Sequence, residues 1–425
     1  MKYFRSLAQT PPKGWNSWDC YGASVTEEEV KQNAIYMKDN LNDAGYEYVV
    51  VDIQWYEPTA NSSMYHAYAD LEMDEFSRLI PAANRFPSAA NGAGFKPLGD
   101  FIHSLGLKFG IHYMRGIPRQ AVHNNTSILG SDHTARDIAK PNSICPWNTD
   151  MYGVDTSKPG AKDYYRSLID LFGSWGVDFL KVDDIADSKL YGGHLDEITM
   201  LREAIDESRY DIVLSLSPGP ASLEHGAFLQ KNANMWRLTD DYWDNWHQLY
   251  DMFDRCQKWA PFVRKGNWPD CDMLPMGHIG IRSVDGGGSN RTSRFTLAEQ
   301  RTMMTLWSLF KSPLFFGGEM TDMDSATLNL LKNKTLIEMH RNGENPEQVM
   351  RQNDIVIWKS KAKDKTWIAV FNLNDSDKKV QYSLNKLNET TYKKAKDIFN
   401  KEYLEAEDIH FAIQKHDVKL IELSN

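Results

Sequence analysis

Up to about residue 335 the chain alternates short apolar runs with helix-period patterns, and this alternation constrains the fold more than any other feature. Repeated β-α units build a parallel sheet, because each returning strand needs a crossover long enough to hold a helix. Strands are expected near 13–18, 46–55, 107–115, 177–184, 211–218, 233–241, 261–269 and 312–318. Helix starts are readable between them. Thr26-Glu27-Glu28-Glu29 is a capping-box pattern ahead of Val30, Ala34, Met37 and Leu41, and Thr296-Leu297-Ala298-Glu299 is another ahead of Met303, Leu306, Trp307 and Phe310. Eight such strands most simply close into a (β/α)8 TIM barrel, although a doubly wound open sheet shares the local pattern. Acids at many strand ends favour the barrel, since an open sheet concentrates its site at one switch point.

From about residue 345 the pattern changes to close-spaced strands: 354–359, 366–372, 379–384 and 416–423, separated by Asn, Asp and Lys turns. That is the signature of a small antiparallel β-sandwich. At 425 residues the chain exceeds the size of a single core, so a barrel over 1–340 and a sandwich over 341–425 is the expected division. The connections 56–95 and 116–160 are too long for simple turns and are expected to shape a pocket.

Two strand-like runs end on paired aspartates: Gly176 through Asp183-Asp184, and Asn234 through Asp240-Asp241. A buried strand of a barrel delivers such acids to a site at its carboxyl end. Alternate residues share a strand face, which pairs Lys181 with Asp183 and Arg237 with Asp241. A cation beside a carboxylate keeps it ionised, as a nucleophile must be, which suits Asp183. A general acid needs the opposite shift, which the neighbouring charge of Asp240 would supply to Asp241. Both pairs also read as internal salt bridges. Other strand ends add Asp52 and Gln54, His112 with Tyr113 and Arg115, Ser215 with Ser217, and Asp270 with Asp272, all expected to converge on one pocket. Clustered aspartates also hold Mg²⁺ or Ca²⁺, but Lys181 and Arg237 among them would repel an ion.

A net charge of -10 argues against nucleic acid or an anionic membrane as partner, and no apolar stretch reaches the roughly 18 residues of a membrane span. The 13 Trp and 19 Tyr suit stacking on sugar rings, although most aromatics in any chain are packing residues. Cys20, Cys145, Cys256 and Cys271 lack CxxC spacing and read as isolated thiols. The first residues lack an apolar segment of the signal-peptide kind, so a cytoplasmic location is expected. Gly286-Gly287-Gly288 reads as a loop, and His103 and His340 as packing or surface residues. No dinucleotide, P-loop, GxSxG or HExxH motif is present.

Gly14-Trp15-Asn16-Ser17-Trp18, the run Tyr46 to Asp52, Gly106 to Ile111, Trp175 to Asp183, Trp236-Arg237 with Asp241, Asp244 and Trp246, and Trp268 to Leu274 resemble, in order, glycoside hydrolase family 27, the α-galactosidases and α-N-acetylgalactosaminidases. The resemblance implies a retaining exo-glycosidase that hydrolyses terminal α-D-galactosides without a cofactor or metal. It places Asp183 as nucleophile and Asp241 as acid/base, with carboxyls about 5–5.5 Å apart. By position it implies Trp18 as a stacking platform, Asp52 on hydroxyls far from the anomeric carbon, Lys181 beside the nucleophile, and Asp272 near the 2-substituent. His112 stands where the family usually has Tyr, and Arg237 lies four residues before the acid/base. The implied partner is a small oligosaccharide or glycoside, with self-association into a homo-oligomer left open.

Two departures bear on the sugar. The family's α-galactosidases carry two consecutive acids on the second strand for the 4- and 6-hydroxyls, whereas this chain has Asp52-Ile53. On the fifth strand Ser217 replaces a Glu-Trp pair, which resembles α-N-acetylgalactosaminidases and also a branch acting on β-L-arabinopyranosides. Ile185 occupies the position of the family's usual disulfide cysteine, in keeping with a reducing compartment. A catalytically silent sugar-binding barrel and a metal-dependent barrel lyase or isomerase are the readings from other classes.

Overall fold

A computed structural model of the chain describes residues 4–283, 288–383, 392, 394–404 and 408–425. The Gly286-Gly287 loop reading and Leu384 of the third sandwich strand lie outside these residues. Eight parallel strands run in chain order: β1 (Lys13–Asn16), β2 (Tyr48–Val51), β3 (Lys108–Met114), β4 (Val177–Asp183), β5 (Val213–Leu216), β6 (Met235–Arg237), β7 (Trp268–Asp270) and β8 (Leu314–Phe316). β8 returns beside β1, with Gly14 opposite Phe315. Between β7 and β8 the join is made past the strand end, where Leu274 pairs with Phe316 and its N–H donates to Phe315 O at 2.7 Å. The sheet curls into a barrel, as the alternation predicts.

The seventh strand starts later than expected. Ala260–Phe262 is a 3₁₀ turn holding Pro261, which has no N–H to offer a ladder, and Arg264 pairs with Asn267 across a tight reversal. The capping boxes form where expected. Thr26 caps the helix Glu27–Asn40 and Thr296 caps Leu297–Phe310, with the Thr296 N–H donating to Glu299 Oε2 at 2.8 Å and the Glu299 N–H donating back to Thr296 Oγ1 at 3.3 Å.

The barrel interior is filled from below by aromatic rings. Tyr48, Phe179 and Phe315 lie with centroids 5.4 Å (Tyr48–Phe179) and 5.2 Å (Phe179–Phe315) apart. Gly110 makes room for them, because a Cβ there would stand 2.9 Å from Val50 Cγ2 and 3.1 Å from Phe179 Cβ. Burying each large ring is worth about 1.5–3 kcal/mol, so the plug stabilises the barrel as it closes it.

Past the helix Lys334–Asn342 the antiparallel region begins with β9 (Glu344–Gln352), β10 (Ile355–Lys361), β11 (Lys365–Asn372), β12 (Lys378–Ser383), β13 (Lys394–Asp397), β14 (Glu402–Leu404), β15 (Asp408–Ile413) and β16 (Val418–Ser424). Six form one sheet in the order β9-β10-β11-β16-β13-β14, and β12 pairs with β15 as a separate ribbon. The period of two sorts the faces: Trp358, Trp367, Phe371 and Leu420 join the barrel's core, while Ile357, Ile368, Val370 and Ile421 face a second cluster with Val380 and Ile413. Arg301 and Thr302 on the helix Leu297–Phe310 bond Asp417 and the carbonyl of His416, fastening the sheet to the barrel.

Candidate active site

Alternation along β4 lifts Phe179, Lys181 and Asp183 on one face, from the aromatic floor to the barrel mouth. Lys181 Nζ donates to Asp52 Oδ2 at 2.8 Å and lies 3.8 Å from Asp183 Oδ2. Asp183 receives His112 Nε2 on one oxygen at 2.8 Å and Ser217 Oγ on the other at 2.7 Å. Burial alone would raise this carboxyl, but the Lys181 charge and the His112 and Ser217 hydrogen bonds outweigh it and hold Asp183 well below the usual range. Asp52 is treated alike: burial opposes ionisation, Lys181 and His112 favour it, and the net shift is downward. Asn16 Nδ2 adds a bond to Asp52 at 2.7 Å.

Across the mouth, Arg237 bridges two acids. Its Nη2 donates to Asp241 Oδ1 at 2.7 Å and its Nη1 forms an ion pair with Asp272 Oδ1, also at 2.7 Å. The shared-face argument does not explain the first contact, because β6 ends at Arg237 and Asp241 lies in the irregular return that follows. Asp241 is the open member of the group, its side chain 52% exposed, and Asp240 beside it is also exposed. Burial pushes Asp270 up to about 7, with the Asp272 charge adding to it. Asp272 rises to about 6, again from burial, despite Arg237.

Phe179, Phe315, Met235 and Met273 line the pocket's apolar side, with Asn16, Lys181, Ser217, Arg237, Asp270 and Asp272 its polar side. Trp18 sits at the end of β1 with its N–H on Asn16 Oδ1; its indole lies near-parallel to Tyr65, centroids 6.0 Å apart. Three of the strand-end groups expected to converge turn away. Tyr113 bonds the carbonyl of Gly116 and Arg115 bonds Asp184 and Glu197, since both are odd to the inward-facing His112. Gln54, past the end of β2 at Val51 and in a left-handed backbone of φ 63°, bonds Asp150. Trp246, part of the spacing around Asp241, stacks on His416 at 3.5 Å and belongs to the sheet junction.

The sequence reading missed Asp19. It follows Trp18 directly, is buried, and burial together with the charges of Asp272 and Asp241 pushes it well above the ordinary carboxyl range. Its only signal was an acid adjoining the Gly-Trp-Asn-Ser-Trp motif. The thiols are not all isolated either, for Cys256 and Cys271 bring their sulfurs to 3.5 Å from separate elements 15 residues apart. Asp52, His112 and Asp183 hold donor atoms within 4.8 Å of one another, a spacing that suits a metal ion. The Lys181 ammonium already sits on Asp52 beside them, so a divalent ion would have to displace it.

The site thus offers an ionised, twice hydrogen-bonded carboxylate on one side of its mouth and an open carboxyl on the other. Comparison with known proteins agrees with that chemistry. The family model described as α-galactosidase A matches residues 147–342. α-Galactosidase 2 of Arabidopsis thaliana is 26% identical over 355 residues, covering 83% of this chain and 72% of that protein. A family 27 β-L-arabinopyranosidase from Geobacillus stearothermophilus, crystallised with arabinose, is 59% identical with a TM-score of 0.98, covering 100% of this chain and 99% of the other. A putative α-N-acetylgalactosaminidase from Bacillus halodurans is 54% identical with a TM-score of 0.89, covering 98% and 97%. With its barrel, its carboxylate pair and its full-length likeness to these enzymes, the chain belongs to glycoside hydrolase family 27.

Proposed function

We propose that the protein is a retaining exo-glycosidase of galacto-configured pyranosides, with β-L-arabinopyranoside as the preferred sugar. Asp183 attacks the anomeric carbon while Asp241 protonates the departing oxygen; Asp241 then takes a proton from the water that releases the sugar. The hydrogen bonds from His112 and Ser217 favour the ionised nucleophile. Asp241, half-exposed at the mouth and held by Arg237, stands open to the glycosidic oxygen of a seated substrate. Because both Asp272 oxygens are taken, by Arg237 and the Tyr242 N–H, the group nearest the 2-substituent is fixed in place.

The observation that carries the sugar preference is Ile53. It follows Asp52, is 2% exposed, and leaves one carboxylate where α-galactosidases are expected to have two. β-L-Arabinopyranose has the α-D-galactose configuration without the hydroxymethyl group, so it needs no partner at that position. α-D-Galactosides are the second substrate, favoured by the family match and the plant relatives. An acetamido group fits least, because the Ser217 hydroxyl is already committed to Asp183. The test is a parallel assay of nitrophenyl β-L-arabinopyranoside, α-D-galactoside and α-N-acetylgalactosaminide, with Asp183→Asn as control. The arabinopyranoside is expected to give the highest kcat/KM and Asp183→Asn to lose at least about 10³-fold. Near-normal turnover by Asp183→Asn would refute the nucleophile assignment, and a faster galactoside would refute the preference.

A further inference from the structure

Behind Asp183, on the outward side of the barrel wall, lies a buried ionic cluster that the reaction does not touch. Arg115 is its centre and grips the chain next to the nucleophile three times. Its backbone N–H donates to the carbonyl of Asp183 at 3.1 Å, its Nε to the carbonyl of Asp184 at 2.8 Å, and its Nη2 to Asp184 Oδ2 at 2.7 Å. Asp184 holds a left-handed backbone, φ 54°, which a non-glycine residue adopts only when its surroundings fix it. The other arm of the guanidinium reaches Glu197 Oε1 at 3.1 Å and Ser143 Oγ at 3.0 Å, and Glu197 in turn receives Tyr165 Oη at 2.5 Å. All three charged residues are buried, and two carboxylates share one guanidinium.

We propose that Arg115 is a positioning residue for the nucleophile, clamping the Asp183–Asp184 peptide so that the Asp183 carboxylate meets the anomeric carbon at bonding distance. A salt bridge kept only for stability would have no need to hold the main-chain carbonyl of Asp184 as well as its carboxylate, beside the Asp183 carbonyl that Arg115's own backbone N–H already holds. The two side-chain bonds fork onto the main-chain carbonyl and the carboxylate of one residue, Asp184, in fixed directions that a lysine ammonium cannot reproduce. The inference rests on Asp183 being the nucleophile.

The test separates position from stability by removing the nucleophile. In an Asp183→Gly background, azide attacks the anomeric carbon of the nitrophenyl glycoside directly, forming a C–N bond as the C–O bond to nitrophenolate breaks. Arg115→Lys alone is expected to lower kcat/KM by about 10²-fold, the usual penalty for a misplaced reacting group, with Ki for L-arabinose changed less than about threefold. In Asp183→Gly, Arg115→Lys is expected to leave the azide-dependent rate within about threefold, because no carboxylate remains to be placed. Equal losses in both backgrounds, a parallel rise in Ki, or an active single variant would overturn the proposal. Should Arg115→Lys fail to fold, Asp184→Asn tolerates the left-handed backbone and reads the same clamp from its other end, with the same two outcomes. If Asp183→Gly turned over normally without azide, the nucleophile reading itself would fail, a result distinct from either.

Discussion

Replacing Ile53 with aspartate puts a second carboxylate after Asp52, where a 6-hydroxyl would need it. The ratio of kcat/KM for α-D-galactoside over β-L-arabinopyranoside is expected to rise about 10- to 100-fold, since a missing hydrogen-bond partner discriminates by that order. Parallel kinetics on the two nitrophenyl glycosides check it, and an unchanged ratio would remove Ile53 from sugar recognition. Asp270 carries a different consequence. Its folded value of about 7 lies above the ordinary carboxyl value, so the fold favours its neutral form. The stability this group contributes is full below about pH 4 and is lost as pH rises through 7, at about 1.4 kcal/mol for each unit of displacement. Asp270→Asn, neutral throughout, should therefore gain melting temperature relative to the parent between pH 5 and pH 8; a constant difference would deny the shift. At this scale the pairing of Lys181 with Asp183 was legible because the two share a regular strand. Arg237 and Asp241 pair as their spacing suggested, but across an irregular return rather than on a strand face. Asp19, Cys256 and Cys271 meet their neighbours only through the folded chain, so no spacing announces those three.

Elements were legible where their own residues determine them. Both capping boxes and all eight strand positions follow from local chemistry, whereas strand lengths follow from where neighbours stop pairing, and β7 shrank because Pro261 and the Arg264–Asn267 reversal consume its expected beginning. The helix Leu297–Phe310 is nearly all buried and carries the contacts to Asp417 and His416, so its cap stabilises two layers at once. Thr296→Ala removes the side-chain acceptor for the Glu299 N–H and should cost about 1 kcal/mol. Urea unfolding would show this as a lower midpoint at unchanged slope; an unmoved midpoint would mean that packing, not the cap, sets that helix end.

At the scale of the whole molecule, the barrel and the antiparallel sheet share a core, since Trp358, Trp367 and Phe371 pack with barrel residues and Phe253 meets Phe371 at 4.9 Å. The change from helical to alternating patterns gave away the two architectures, but nothing in a linear pattern shows that one sheet face is barrel core. The rings of Tyr48, Phe179 and Phe315, which fill the barrel's base, also set the traffic of the reaction. A cavity stopped at its base is a cul-de-sac: the glycoside arrives, water follows, and the freed monosaccharide departs through one opening in turn. Released sugar therefore stands in the way of the next substrate. Free L-arabinose should act as a competitive inhibitor, raising KM without lowering kcat in initial-rate assays, and a purely noncompetitive pattern would point to a second exit.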